Sequence, residues 1–280
     1  MSPLPKIAFQ GEPGANSHEA CRTYFPNHEA APFPTFEEAF EAVKSGACAL
    51  GMIPVENSIA GRVADVHHLL PNSGLKIIGE RFKSIRFQLL VNKGGRLEDL
   101  KTAASMPFAL AQCRNVLRKY GLKFVATGDT AGAAKELAEH PDPTRAAVSP
   151  RLAAEIYGLD ILLEDIEDEH NNTTRFLIMS REAASPPPDV TCVTSFVFRV
   201  RNIPAALYKA MGGFATNGVN MTKLESYMEG GAFTATFFYA EVDGRPEDRG
   251  LALALEELAF FSERIEILGV FPADPFRDRV

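Results

Sequence analysis

The sequence predicts a two-lobed α/β domain followed by a smaller ferredoxin-like domain, and three observations carry that prediction. From Lys6 to about Ser180, short apolar runs alternate with segments of helical period. A proline-rich break, Ser185-Pro186-Pro187-Pro188, then interrupts the pattern as a stiff extended spacer. Beyond it the order becomes strand, helix, strand, strand, helix, strand, the ferredoxin-like βαββαβ arrangement. The expected organisation is a domain over 1–180, a linker over 181–190 and a second domain over 191–280. A length of 280 residues suits about two domains.

The elements follow in order. Lys6 to Gln10 reads as a first strand, and Gly11-Glu12-Pro13-Gly14-Ala15-Asn16-Ser17 as a loop into a helix. Two glycines three apart match neither a dinucleotide loop nor a P-loop. They leave Ser17 near a helix N-terminus, a place suited to an anion. Phe36, Ala39, Phe40 and Val43 recur at helical spacing and stop at Gly46. Ala47 to Ile53 is an apolar strand that runs into Pro54-Val55-Glu56-Asn57-Ser58. Polar groups at such a strand end mark the usual ligand position of an open α/β sheet. Arg62 to Leu70 reads as a short helix. His67 and His68 are adjacent on it, so they do not share a face and make a poor metal pair.

Ile77-Ile78 and Arg86 to Val91 read as strands. One helical stripe follows, with Leu110, Cys113, Leu117 and Tyr120 inward and Gln112 beside it. Phe124 to Thr127 is a strand; Asp129 or Thr130 caps a helix over Ala131 to His140. Ala146 to Ser149 is a strand, and Pro150 opens a helix ending at Gly158. The alternation predicts a largely parallel sheet. Asn171-Asn172-Thr173-Thr174-Arg175-Phe176 then passes into the apolar run Leu177-Ile178-Met179, so a donor-rich segment sits at the mouth of a buried strand. After the linker come a strand over Thr191 to Val200, a helix over Pro204 to Gly218, strands over Asn220 to Tyr227 and Thr234 to Val242, a helix over Glu247 to Ser262, and a strand over Ile265 to Phe271.

Composition removes several function classes. A net charge of −7 argues against nucleic acid or an anionic membrane as the main partner. No apolar run approaches the ~18 residues of a membrane span, and Met1 to Ile7 lacks the pattern of a signal peptide. Cys21, Cys48, Cys113 and Cys192 are scattered without a C-x-x-C pair, which reads as reduced thiols in a cytoplasmic protein and as no zinc site.

Glu56-Asn57-Ser58, Gln112 and Thr174-Arg175 together supply one acid, several neutral donors and one cation. With their flanks they resemble prephenate dehydratase, which makes phenylpyruvate from prephenate. The matching stretches are the glycine loop 11–17, Ile53 to Ser58, Ala109 to Cys113, Asp129 to Lys135, and Asn172 to Phe176, in family order. The segment from Ser195 onward, through Pro204-Ala205-Ala206-Leu207 and Glu225-Ser226, is similar to the amino-acid-sensing ACT domain. The resemblance implies a monofunctional enzyme with two α/β lobes like those of a periplasmic binding protein and its site in the cleft. A preceding chorismate mutase domain is not expected, the first strand beginning at Ile7. Two departures stand out. The usual Ser-His-Pro reads Ser105-Met106-Pro107, and the usual Pro-Gly-Ala-Leu and Glu-Ser-Arg-Pro read Pro204-Ala205-Ala206-Leu207 and Glu225-Ser226-Tyr227-Met228.

The reaction needs no metal or organic cofactor, because loss of water and carbon dioxide makes an aromatic ring. It needs a grip on a dianion and help for a departing hydroxide, where a positioned donor contributes ~10²–10⁴ in rate. Thr174 is expected at that hydroxyl, with Glu56 as the proton source and Asn57 beside it. Arg175 is expected on the pyruvyl carboxylate, and Ser17, Ser58, Gln112 and Thr130 as neutral donors. Phenylalanine as effector is expected at Asn202, Ala205, Ala206, Leu207, Glu225 and Ser226, in a homodimer or homotetramer. Arogenate as substrate, and a non-catalytic anion-binding or regulatory protein, are the alternatives.

Overall fold

The structure, a computed structural model, describes residues 3–228 and 235–279. Its elements begin with β1 (Lys6–Gln10), α1 (Asn16–Tyr24), β2 (Glu29–Phe33), α2 (Phe36–Lys44), β3 (Leu50–Asn57), β4 (Gly61–Arg62), α3 (Ala64–Leu69), β5 (Lys76–Ser84) and β6 (Gln88–Val91). There follow β7 (Thr102–Ser105), α4 (Pro107–Gln112), α5 (Arg114–Lys119), β8 (Lys123–Ala126), α6 (Thr130–Glu139), β9 (Arg145–Ser149), α7 (Arg151–Tyr157), β10 (Asp160–Leu163) and β11 (Thr173–Ser180). The rest of the chain forms β12 (Cys192–Val200), α8 (Ala206–Thr216), β13 (Met221–Met228), β14 (Ala235–Asp243), α9 (Arg249–Phe261) and β15 (Ser262–Pro272), ending in a 3-10 turn, Pro275–Arg279. Of the strand expected over Thr234 to Val242, Thr234 lies outside the described residues.

The described residues form three sheets, in the orders β2-β1-β3-β11-β5 with β4 on β3, β10-β6-β9-β7-β8, and β13-β14-β12-β15. The chain divides into two units, residues 1–67 with 81–176, and 68–80 with 177–280.

In the first unit β1 runs parallel to β2 and β3, as expected. The second sheet corrects the expectation of a largely parallel arrangement. β7 is parallel to β8 and β9, but β6 is antiparallel to both β9 and β10. The crossover β9–α7–β10 joins two strands between which β6 is inserted, and β6 runs against both. The stripe expected as one helix forms two, α4 and α5, parted at Cys113 with φ −112° and ψ 18°. Leu110, Cys113 and Leu117 nevertheless all enter one core with Leu89 and Val148. A second core is built from alanines of α6 and α7, where Ala131, Ala134 and Ala153 let helix and sheet approach closely. Asp129 caps α6 by accepting from Gly132 N at 2.5 Å.

The second unit contains the βαββαβ run with strand order 2-3-1-4, the ferredoxin-like topology expected from the pattern. Phe196, Phe198, Phe214, Phe238 and Leu258 form its core beneath α8 and α9. A buried ionic cluster sits in the same unit. Arg277 bonds Glu80 with two nitrogens, at 2.6 and 2.9 Å, and reaches Glu241 at 3.1 Å. The Tyr239 hydroxyl donates to Glu241 at 2.6 Å and takes a hydrogen bond from Ser195, also at 2.6 Å. Both carboxylates are fully buried.

Candidate active site

The first unit contains an open cavity of about 210 Å³, many times the room one water needs. Its walls come from both lobes. From the first lobe come the ends of β1 and β3, the start of α1 and the start of β11; from the second come α4 and the start of α6. The lining combines the polar residues Ser17, Asn57, Gln112, Thr130, Asn172 and Thr174 with the apolar Ile85, Phe87, Met106, Phe108 and Phe176.

The glycine loop that leads into α1 is held from both lobes. Gly14 adopts φ +96°, and a Cβ there would stand 2.8 Å from the Ala153 Cα, so only glycine fits. Its N–H donates to Nδ1 of His18 at 3.0 Å, while the His18 ring stacks on Phe9 at 5.1 Å. Burial, helped by Arg22, holds the His18 pKa below the usual value and favours the neutral ring that this contact requires. The Tyr157 hydroxyl donates to the Pro13 carbonyl at 2.8 Å. α1 thus presents its opening N–H groups, without a side-chain cap, to the cavity that Asn16 and Ser17 line.

Asn57 organises the polar part of the lining. Its Oδ1 accepts from the backbone N–H groups of Ile59 at 3.0 Å and Ala60 at 2.8 Å. Its Nδ2 donates to Asn172 Oδ1 at 2.7 Å and to Thr174 Oγ1 at 3.0 Å. Asn172 Nδ2 in turn donates to Gln112 Oε1 at 2.9 Å. Two buried polar atoms of the lining have no hydrogen-bond partner among the described residues, Gln112 Nε2 and Asn16 Oδ1.

The family model described as prephenate dehydratase matches residues 7–184. The chain belongs to the prephenate dehydratase family. A Komagataeibacter europaeus protein named bifunctional N-acyl-homoserine lactone acylase/prephenate dehydratase is 50% identical over 272 residues, 97% of each chain. The Arabidopsis thaliana arogenate dehydratase/prephenate dehydratase 2, chloroplastic, is 38% identical, covering 96% of this chain and 73% of that protein. Among solved structures, the prephenate dehydratase of Arthrobacter aurescens in complex with L-Phe superposes with a TM-score of 0.87 at 30% identity, covering 96% of this chain and 90% of that one. The chain is therefore a lyase of the prephenate and arogenate dehydratase family.

Of the residues expected from sequence, Ser17, Asn57, Gln112, Thr130 and Thr174 meet at the cavity of this dehydratase. Three do not. Thr174 and Phe176 line it, so Arg175 between them projects from the other face of β11. Arg175 Nη1 bonds Glu56 Oε1 at 3.0 Å, and its guanidinium lies 5.8 Å from the Phe82 ring centroid. Arg175 is buried in that pairing, and neither it nor Glu56 is among the lining residues. Ser58 ties two strand ends: its hydroxyl donates to Asn171 O and accepts from Thr173 N, both at 3.0 Å. The geometry therefore does not offer Arg175 as the carboxylate clamp, Glu56 as the acid, or Ser58 as a substrate donor.

Sequence reasoning left Asn16 and Asn172 out of the site, although both stand inside matching stretches; Asn172 immediately precedes β11 and lines the cavity together with Thr174. Met106, at the position where the family resemblance expects histidine, lines the cavity with an apolar thioether. Among the described lining residues there is no Lys, Arg or His, and Asp129 is the one carboxylate. Among the described residues no cluster of metal-ligating side chains occurs, and no helix is long and apolar enough to cross a membrane. All four cysteines are buried thiols outside any disulfide, and burial pushes the Cys21 thiol up to about 12.

In the second unit, Asn202 and Ala205 are exposed just before α8, and Ala206 and Leu207 open that helix. Glu225 and Ser226 lie on β13, where Lys223 Nζ reaches Glu225 at 3.0 Å.

Proposed function

We propose that this enzyme converts prephenate to phenylpyruvate, with Thr174 donating to the departing hydroxyl. The observation that carries this reading is the Asn57–Thr174 bond. Thr174 Oγ1 already accepts from Asn57, and its own proton has no acceptor among the described residues of the cavity. The hydroxyl is therefore set up as a donor to a bound ligand. A threonine hydroxyl is too weak an acid to originate a proton. It stabilises the leaving oxygen by hydrogen bonding as the C–O bond breaks. The electron pair of the breaking C–carboxyl bond closes the aromatic ring, releasing carbon dioxide. Prephenate dianion gives phenylpyruvate anion, carbon dioxide and one hydroxide, which solvent protonates.

The lining supports the rest. The dianion meets helix N-termini and amides rather than a fixed cation. The N–H groups opening α1 and the donors Ser17, Thr130 and Gln112 suit the pyruvyl carboxylate. The carboxylate that leaves as carbon dioxide would be hindered by a strong cation, because that charge must disappear. It fits against the apolar lining residues Ile85, Phe87, Phe108 and Phe176. Catalysis in this reading uses no cofactor.

A second reading, arogenate as substrate, is favoured by one feature. Asn16 and Asp129 both line the cavity, and their side-chain oxygens would accept from an ammonium group where prephenate has a keto oxygen. Offering each acid separately decides: phenylpyruvate absorbance from prephenate is the expected product, and phenylalanine from arogenate with no reaction of prephenate would reverse the assignment. An N-acyl-homoserine lactone in the same series asks whether the second activity named for the Komagataeibacter protein is shared.

We also propose that residues 191–280 form an ACT regulatory domain that binds phenylalanine, as the L-Phe complex of the Arthrobacter protein suggests by analogy. Lys223 already engages Glu225 Oε1, so an ammonium group binding at that oxygen would compete with the pair. Inhibition of the full chain by L-phenylalanine, lost in Glu225→Ala, is expected, and unchanged inhibition in that variant would remove the site. A homodimer or homotetramer and a cytoplasmic location belong to the same proposal.

A further inference from the structure

We propose that Asn172 is a positioning residue of the dehydratase reaction, fixing the Gln112 amide so that Nε2 rather than Oε1 faces the bound acid. The inference rests on the assignment of the cavity as the dehydratase site and deepens it.

The direction of an amide is normally set by its neighbours, because oxygen and nitrogen are alike in size. Here the direction starts from groups that have no ambiguity. Backbone N–H groups only donate, and two of them, of Ile59 and Ala60, point at one end of the Asn57 amide. That end must be oxygen. The other end is then NH₂, and it meets Asn172, whose facing atom must accept. The far end of Asn172 is consequently NH₂, and the Gln112 atom it meets must be oxygen. What remains of Gln112 is Nε2, buried and without a partner among the described residues, at the cavity wall.

Three amides thus transmit the polarity of two backbone groups across to the opposite lobe. If Gln112 turned over, two NH₂ groups would face each other across 2.9 Å. Asn172 is 1% exposed, so no water-filled gap relieves that clash. The same chain acts on Thr174. Asn57 Nδ2 is shared between Asn172 and Thr174, so the hydroxyl oxygen is an acceptor towards Asn57 and its proton is directed elsewhere. Asn172 does not need to touch the substrate to matter. It decides whether a donor or an acceptor meets the substrate carboxylate.

The experiment is a double-mutant cycle on the full chain with prephenate as substrate. Asn172→Ala should lower kcat/KM by about 10- to 100-fold, the range seen when a residue that orients a ligating group is removed, with the larger share in KM. In the Gln112→Leu background the same substitution should change kcat/KM by less than about 2-fold, because there is no amide left to orient. A purely structural role would give the same loss in both backgrounds, and that result overturns the proposal. Asn172→Ser, which keeps a donor, replaces the alanine variant if the latter does not fold. Gln112→Glu leaves Asn172 intact and puts an acceptor where Nε2 stood; it should raise KM by about 10-fold or more. An unchanged KM in that variant would equally overturn it. A wild-type chain that yields no phenylpyruvate would instead remove the dehydratase assignment, and the positioning role with it.

Discussion

Each unit of this protein has a buried polar network, and the two are built on opposite plans. In the second unit the network is ionic and closed. Arg277 lies between Glu80 and Glu241; the Asp274 N–H donates to Glu80, the Tyr239 hydroxyl to Glu241, and the Ser195 hydroxyl to Tyr239. In the first unit the network is neutral and open. Its amides are anchored to the backbone at Ile59 and Ala60 and end at Gln112 Nε2, buried without a partner among the described residues, and at the Thr174 hydroxyl, on two residues that line the cavity. A buried charge attracts the nearest counter-charge and is neutralised, as Arg175 is by Glu56. Neutral dipoles can be left pointing into a cavity without that collapse. For a substrate that brings two negative charges and must lose one, oriented dipoles are the better solvent.

The comparison fails first if the ionic cluster is not what it looks like. Arg277→Met leaves two buried carboxylates without their shared cation and should cost about 3–5 kcal/mol. A marked fall in the thermal midpoint of the full chain, followed by circular dichroism, is the expected result. Glu80→Gln combined with Arg277→Met should restore part of the loss, since one of the stranded charges is gone. A midpoint unchanged by Arg277→Met would show that solvent already screens the cluster.

Next in size is the open end of the neutral network. Thr174→Ala should reduce kcat by about 10²-fold with little change in KM, because the hydrogen bond strengthens only as the C–O bond breaks. Thr174→Ser keeps the hydroxyl and should retain most of the rate. If alanine and serine variants were equally active, the donor role would have to move to another residue.

A charge can also be added to the neutral cavity. Met106→His places an imidazole in the lining, with an unperturbed pKa of about 6.5. Below that value an imidazolium faces a dianion, so kcat/KM should rise as pH falls through it. The expected gain is about fivefold, equivalent to the ~1 kcal/mol of a unit-charge pair in a watery site. The wild-type chain should lack that inflection. Identical pH profiles for the two proteins would place residue 106 away from the bound acid.

How far the sequence could be read follows from the same geometry. The αβ alternation, the cap at Asp129 and the βαββαβ order are local patterns, and they were legible. Strand β2 was not, because Pro32 interrupts it; the sheet tolerates that proline at its edge. β7, Thr-Ala-Ala-Ser, went unread because it lacks the β-branched and aromatic run that marks a strand, and β10 also went unread. In the site, Thr174 and Arg175 were taken together, although a strand turns adjacent side chains to opposite faces. Applying that rule to 172–176 would have selected Asn172, Thr174 and Phe176 and set Arg175 aside. The Asn57–Asn172 and Asn172–Gln112 bonds span 115 and 60 residues, and no local pattern reveals such pairs.

The smallest expected effect concerns Ala205, where the family resemblance expects glycine. This residue precedes α8 at φ +61° and ψ 15°, in the left-handed region, with no side-chain capping bond. A Cβ in that conformation costs about 1 kcal/mol, and glycine removes it. Glycine also widens the unfolded ensemble, which offsets part of the gain. Ala205→Gly should therefore stabilise the full chain by at most about 0.5 kcal/mol, the residue of these two opposing terms. The neighbouring Ala206→Gly, inside the helix, has no strain to relieve and should destabilise by about 0.5–1 kcal/mol. Opposite signs for adjacent alanines in parallel urea titrations are the signature of the left-handed turn. Equal destabilisation by both would mean that residue 205 does not hold that conformation in solution.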